Sequence, residues 1–140
     1  MTTVYIRWYG PYSLDNINIR DIAYHNGVYS IYRVFGGKET LLYIGKTGRS
    51  FIQRITEHNK DWLWNVRGAI QIRFGILEYP HGGRYSVQKL NDTESLLIYW
   101  HSPPFNTTYR ERYYGRDKLE IINVGRRGSL DKNITTSILI

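Results

Sequence analysis

The chain has 140 residues, with 19 Lys and Arg against 12 Asp and Glu, a formal net charge of +7, and no cysteine. The length fits one domain spanning 1–140, and the lack of cysteine excludes a disulfide scaffold and a Cys-ligated zinc site. No apolar run reaches the length of a membrane span and the opening MTTVYIRWYG lacks the core of a secretory signal, so a cytoplasmic protein with no membrane partner is expected.

The positive balance attracts polyanions through counterion release, and it serves solubility equally well. Thirteen Tyr and four Trp are interleaved with Arg. That mixture suits base stacking and phosphate contact, and it also suits a β-rich core and its rim.

In chain order, Val4-Tyr5-Ile6-Arg7-Trp8-Tyr9 reads as a strand ended by Gly10-Pro11. Ser13 to Ala23 reads as a short helix capped by Ser13 or Asp15. Gly27 to Phe35 and Leu41 to Thr47 are two strands, and the Gly36-Gly37-Lys38-Glu39 linker joins them as a β-hairpin. Ser50 opens a helix in which Phe51, Ile55 and Trp62 share one face at about 100° per residue. Ile70 to Tyr79 is a further strand, stopped by Pro80 and a His81-Gly82-Gly83 turn. A second helix runs from Ser86 to His101 on a stripe of Val87, Leu90, Leu97 and Ile98, and Ser102-Pro103-Pro104 stops it. Asn106 to Tyr114 reads as loop and Leu119 to Val124 as a last strand. The order β-β-α-β-α, with a strand added at each end, predicts an α+β domain.

Five side chains on these supports carry the chemical interest. Glu94 falls within the apolar stripe of the second helix, where a carboxylate is either paired with an arginine, protonated or bound to metal. Asp92 is two residues away and on another face, and no DxD, ExxH or HExxH string is present. The carboxylates therefore favour one Mg²⁺ held by Glu94, with phosphate and water completing its shell, over a two-metal cage. Arg54 offers a planar cationic fork to a phosphate, or else lies on a solvated helix face. His58, one turn on, is a structural histidine beside the apolar stripe or a participant in proton transfer. Tyr29 and Tyr43 are core residues or site residues. A tyrosine base must overcome an unperturbed pKa of about 10, which a nearby arginine and metal would lower.

The strings Gly27-Val28-Tyr29 and Tyr43-Ile44-Gly45, followed by Arg54-x-x-x-His58, Glu94 and the Asn106 of PPFN, together resemble the GIY-YIG nuclease family over about 27–106. Val28 stands where the first signature has Ile. The flanks and the late NVGRRGSL are similar to small stand-alone bacterial members. The resemblance implies a three-stranded antiparallel sheet flanked by helices, here with extra terminal strands. It implies metal-dependent hydrolysis of DNA that leaves 5′-phosphate and 3′-hydroxyl ends. Tyr29 would help deprotonate the attacking water, Arg54 stabilise the phosphorane-like charge and Tyr43 position phosphate or water. His58 would assist proton transfer, Glu94 hold one Mg²⁺ or Mn²⁺ ion, and Asn106 support the site. Lys46, Arg49, Arg110, Arg112 and Arg116 are the expected nucleic-acid contacts. An added recognition domain is not expected within these 140 residues. Sequence recognition is then left to the N-terminal extension, the segment Arg110 to Lys118, a second copy in a homodimer or a partner protein. The alternative is a catalytically idle nucleic-acid-binding or assembly module on the same fold.

Overall fold

The computed structural model describes residues 1–81, 83–116 and 118–139; Gly82 of the expected turn and Asp117 of the basic segment lie outside them. The fold is α+β. Six strands form one sheet: β1 (Thr2–Ser13), β2 (Gly27–Phe35), β3 (Lys38–Thr47), β4 (Ala69–Glu78), β5 (Leu119–Gly125) and β6 (Asn133–Thr135). Two α-helices accompany it, α1 (Phe51–Asp61) and α2 (Val87–His101). The strand order is β3-β2-β4-β1-β5-β6. Neighbours run antiparallel except β1 and β5, which are parallel, so the three-stranded unit β3-β2-β4 is antiparallel as expected and the sheet becomes mixed only where the added terminal strands pair. The parallel pair joins residues more than a hundred positions apart, a long-range pairing that no local turn signal announces.

The central hairpin forms as its sequence predicts. Gly36 and Gly37 both take positive φ, the geometry a tight hairpin turn requires, and β3 begins at Lys38 immediately afterwards. At the other end of β2, Tyr29 pairs with Gly45. A Cβ on Gly45 would stand 2.3 Å from the Tyr29 hydroxyl oxygen and 2.4 Å from its Cζ, so the Tyr29 ring occupies the space any side chain there would need. The register slips between Ile31 and Tyr32 as Leu42 bulges out, which puts Leu41 against one core and Leu42 with Tyr43 against the other.

The sheet separates two cores. One gathers Val4, Ile6, Trp8, Val28 and Ile44 with Leu90, Leu96, Leu97 and Ile98 of α2. The other gathers Tyr29, Ile31, Ile72 and Phe74 with Phe51 and Ile55 of α1. Phe51 stacks on Phe74 with ring centroids 4.5 Å apart. A capping box between Ser50 and Gln53 starts α1, and a Ser86 side-chain cap starts α2. Each such cap contributes about 1 kcal/mol. Val87, expected in the apolar stripe, is 65% exposed because it is the first residue of α2 and overhangs the sheet. Leu96 takes a place in that core instead.

Two expectations are revised, and the tail that the sequence left unassigned takes form. β1 does not stop at Gly10-Pro11 but continues to Ser13, with the proline inside an irregularity between Tyr9 and Tyr12 where the ladder with β4 is already interrupted. Residues 14–24 form two 3-10 turns, Leu14–Ile19 and Asp21–Tyr24, rather than one helix, and the Ser13 side chain makes no cap. The tail after Gly125 returns as β6 and a short 3-10 turn, Thr136–Leu139.

Replacing Gly45 with alanine is expected to cost about 1–3 kcal/mol, the usual penalty for forcing atoms into a filled core. Urea unfolding measures it. A stability unchanged from wild type would mean that the Tyr29 ring does not rest on this glycine.

Candidate functional site

β3 is the last strand of the sheet, so groups from the α1 layer and from α2 can meet at its border. Tyr29 is fully buried, and its hydroxyl lies 2.7 Å from Nε2 of His58. Tyr43 lies alongside, with ring centroids 6.2 Å from Tyr29 and 4.8 Å from His58. Arg54, one turn before His58 on α1, interacts electrostatically and by hydrogen bonding with both tyrosines. Glu94, half-buried on α2, feels Lys46 and Arg54, and in turn acts on Tyr29 and Tyr43. Residues from both strands and both helices thus share one electrostatic neighbourhood.

Asn106 has a different task. Its amide donates to the Ile44 carbonyl at 2.9 Å and its Oδ1 accepts from the Ile44 N–H at 3.0 Å. The Phe105 N–H donates to the Leu42 carbonyl. The loop after α2 therefore caps the open edge of β3 and holds the strand that carries Tyr43 and Gly45. Both polar ends of Asn106 are spent on this clamp.

The proton arrangement follows from one donor. An indole N–H can only donate, so the 2.9 Å contact from Trp62 Nε1 makes Nδ1 of His58 an acceptor. Burial, assisted by the charge of Arg54, lowers the His58 pKa to about 4, which keeps the ring neutral at physiological pH. A neutral ring that accepts at Nδ1 carries its proton on Nε2. His58 therefore donates to the Tyr29 oxygen. Burial first, and Tyr43 next, push the Tyr29 hydroxyl well above the ordinary tyrosine range, against the pull of Arg54. Tyr43 is raised as well, by burial and then by Glu94.

Glu94 has its carboxyl pushed up to about 7 by burial, with Lys46, Arg54 and the Lys46 main-chain N–H opposing the shift. Near neutrality it is poised between the acid and the carboxylate. Glu57, on the exposed side of α1, is held down to about 2 by hydrogen bonds from Arg49 first and then Arg54. Arg49 grips it with two bonds, of 2.8 and 2.7 Å, and Arg54 Nη1 adds one of 2.9 Å. Partial burial works against the charge on Arg54, yet Glu57 and the two tyrosines keep its pKa above the usual arginine value.

The expected nucleic-acid contacts divide. Lys46 lies beside Glu94 and Arg49 beside Arg54, both at the site. Arg110 and Arg112 line a recess of about 830 Å³ that Asn106 shares. Arg116 instead donates from Nε to the buried Asp92 at 2.8 Å and lines a separate recess with Met1 and Thr2. Trp62 and Glu57 were not among the sequence-derived candidates. Trp62 follows the end of α1, where helical periodicity no longer predicts direction, while Glu57 was readable as the i+3 partner of Arg54.

Among the described residues no three His, Cys, Asp or Glu side chains cluster as metal ligands. Glu94 alone fits an ion that keeps water and phosphate in its shell. No described helix is long and apolar enough to cross a membrane. No protein-family model matches the chain, and neither a curated protein nor a solved structure does so.

Two measurements check this electrostatic picture. The raised Glu94 pKa means the folded state holds a proton that the unfolded state releases between about pH 4.5 and 7, so stability falls as pH rises through that window. Glu94→Gln should thus be about 1–2 kcal/mol more stable than wild type at pH 8 in metal-free urea titrations, a figure discounted for partial solvent screening. His58 acts in the opposite sense: its lowered pKa costs stability as pH falls from 6.5 to about 4, and Glu94→Gln should expose that loss. A variant less stable than wild type at pH 8 would contradict the assignment. For His58, long-range proton–nitrogen NMR spectra should show the proton on Nε2. Trp62→Phe should yield a tautomer mixture; a proton found on Nδ1 in wild type would refute this hydrogen-bond direction.

Proposed function

We propose that the protein is a metal-dependent endonuclease of the GIY-YIG type that hydrolyses DNA phosphodiester bonds through a single-metal site. What supports the reading is the meeting of Tyr29, Tyr43, Arg54, His58 and Glu94, widely spaced in sequence, at the border of β3. The antiparallel β3-β2-β4 unit, with α1 and α2 against it, is the part of the fold that such a domain would use.

On this reading Arg54 turns its fork to the scissile phosphate and stabilises the charge that builds up there. Lys46 and Arg49 hold the flanking backbone. Tyr29 would first release its own proton to solvent, because His58 already carries one on Nε2 and accepts from Trp62 at Nδ1, and as the phenolate would take the proton of the attacking water. The donors on its oxygen, His58 Nε2–H and Arg54, favour the phenolate this requires against the burial that opposes it. Tyr43 packs beside both groups and narrows the water's approach. A Mg²⁺ or Mn²⁺ ion on Glu94 would act as a Lewis acid on the phosphate oxygens. Products would carry 5′-phosphate and 3′-hydroxyl ends.

A second reading, an idle nucleic-acid-binding module, is favoured by the tendency of Glu94 to keep its proton near neutrality, because a protonated carboxyl is a poor metal ligand.

Incubation with supercoiled plasmid separates the two. Cleavage is expected with Mg²⁺ or Mn²⁺ and not with EDTA. Glu94→Gln should abolish it while DNA binding persists, since lysine and arginine contacts supply most non-specific affinity. Arg54→Ala should lower the single-turnover rate by about 10²–10³-fold at saturating DNA. Retarded but intact plasmid under every metal condition would leave the idle module standing.

A further inference from the structure

A groove of about 630 Å³ has Trp62 in its lining but not His58, and the site described above does not use it. Its apolar walls are Trp62, Pro104 and Phe105, and its polar lining is Arg33, Asn65 and Arg67. Phe105 is 46% exposed and its ring centre is 5.1 Å from that of Trp62, at an angle of 50°. At one end the Arg33 guanidinium lies 5.9 Å from the centre of the largely exposed Phe35 ring. Among the described residues the ion pairs engage Arg7, Arg49, Arg54, Arg73 and Arg116, but neither Arg33 nor Arg67. The Arg33 Nε is buried and has no hydrogen-bond partner within the protein. Among the described residues no carboxylate lines the groove.

Each part of this lining points to one kind of occupant. Open aromatic faces offer stacking to a flat ring. Two arginines that make no ion pair among the described residues offer charge to an anion. Asn65 carries both a donor and an acceptor, which suits the edge of a base. A purely apolar partner would leave both arginines uncompensated, and a base inside a duplex has no free face to stack. Trp62 is also a wall shared with the site, because its indole N–H bonds to His58 and its ring lies 5.7 Å from that of Tyr43.

We propose that this groove holds an unpaired nucleobase of the strand being cut. The substrate would then be DNA with unstacked nucleotides beside the scissile bond, as in a fork, flap or bulge. The proposal rests on the nuclease reading in taking DNA as the anion, and its test is independent of cleavage.

The test uses the full chain in EDTA with a short oligonucleotide carrying 2-aminopurine, free or annealed to its complement. Binding is followed by anisotropy and stacking by quenching of the base. The free strand should bind at least about 5-fold tighter than the duplex and be quenched, as one stacked base allows. Phe105→Ala should weaken binding of the free strand by about 5- to 100-fold and relieve the quenching. Because Phe105 neighbours the Asn106 clamp, Arg67→Ala, an exposed loop position, serves as the second variant. It should weaken the free strand selectively as well, with the urea midpoint unchanged. Equal affinity for free and annealed strands, or a free-strand affinity indifferent to both variants, overturns the proposal. Plasmid cleavage without strand preference would overturn it alone, whereas strand preference without cleavage would overturn the nuclease reading alone.

Discussion

The contact between the Tyr29 ring and the Cα of Gly45 is the constraint on which the site depends. A side chain at position 45 would meet the ring at 2.3 Å, so Tyr29 lies flat across β3 only because that position is bare. Lying there, the whole residue is buried, and its hydroxyl meets His58 of α1. Tyr43, two residues before Gly45 on the same strand, is brought alongside by the same geometry. The clamp of Asn106 on Ile44 then fixes the strand between them. Packing and chemistry are inseparable at this point, since one glycine permits both.

Around that frame the charges are arranged with economy. Glu94 is surrounded by cations, yet burial still outweighs them and raises its proton affinity. Arg49 and Arg54 are not left as bare charges: Glu57 holds both from the solvent side. These pairs are exposed, so they add little to stability, and their effect is to aim two guanidinium groups. An arriving phosphate would find Arg54 already oriented, with the entropy of ordering its long side chain largely spent. The neutral His58 adds no charge to this cluster and contributes only a directed hydrogen bond.

Much of this was legible in the sequence because it is local. The Gly-Gly hairpin, the Ser50–Gln53 cap and the alternating strands follow from residues a few positions apart. The place of Glu94 beside Leu90, Leu97 and Ile98 follows from helical periodicity alone, as does the closeness of Arg54 to His58. What was not legible depends on distant or non-repeating geometry. The parallel pairing of β1 with β5 is set by the whole chain. Arg116 read as a free basic residue because nothing in sequence joins it to Asp92, 24 positions earlier. Trp62 fitted an apolar helix face by spacing, but the helix ends at Asp61 and the backbone turns at Trp62. The indole then points its N–H back to His58 across four residues.

That turn makes Trp62 a residue shared by the His58 contact and the groove. One edge of the indole determines which nitrogen of His58 carries the proton, and therefore the direction of the bond to Tyr29. The ring itself is a wall of the groove where Phe105 and two unpaired arginines lie. A base stacked in that groove would press on the residue that orients the imidazole. Filling the groove and fixing the His58 tautomer would then favour each other, because each restricts the same side chain. No moving element is required for this coupling, only an indole that the His58 contact and the groove share.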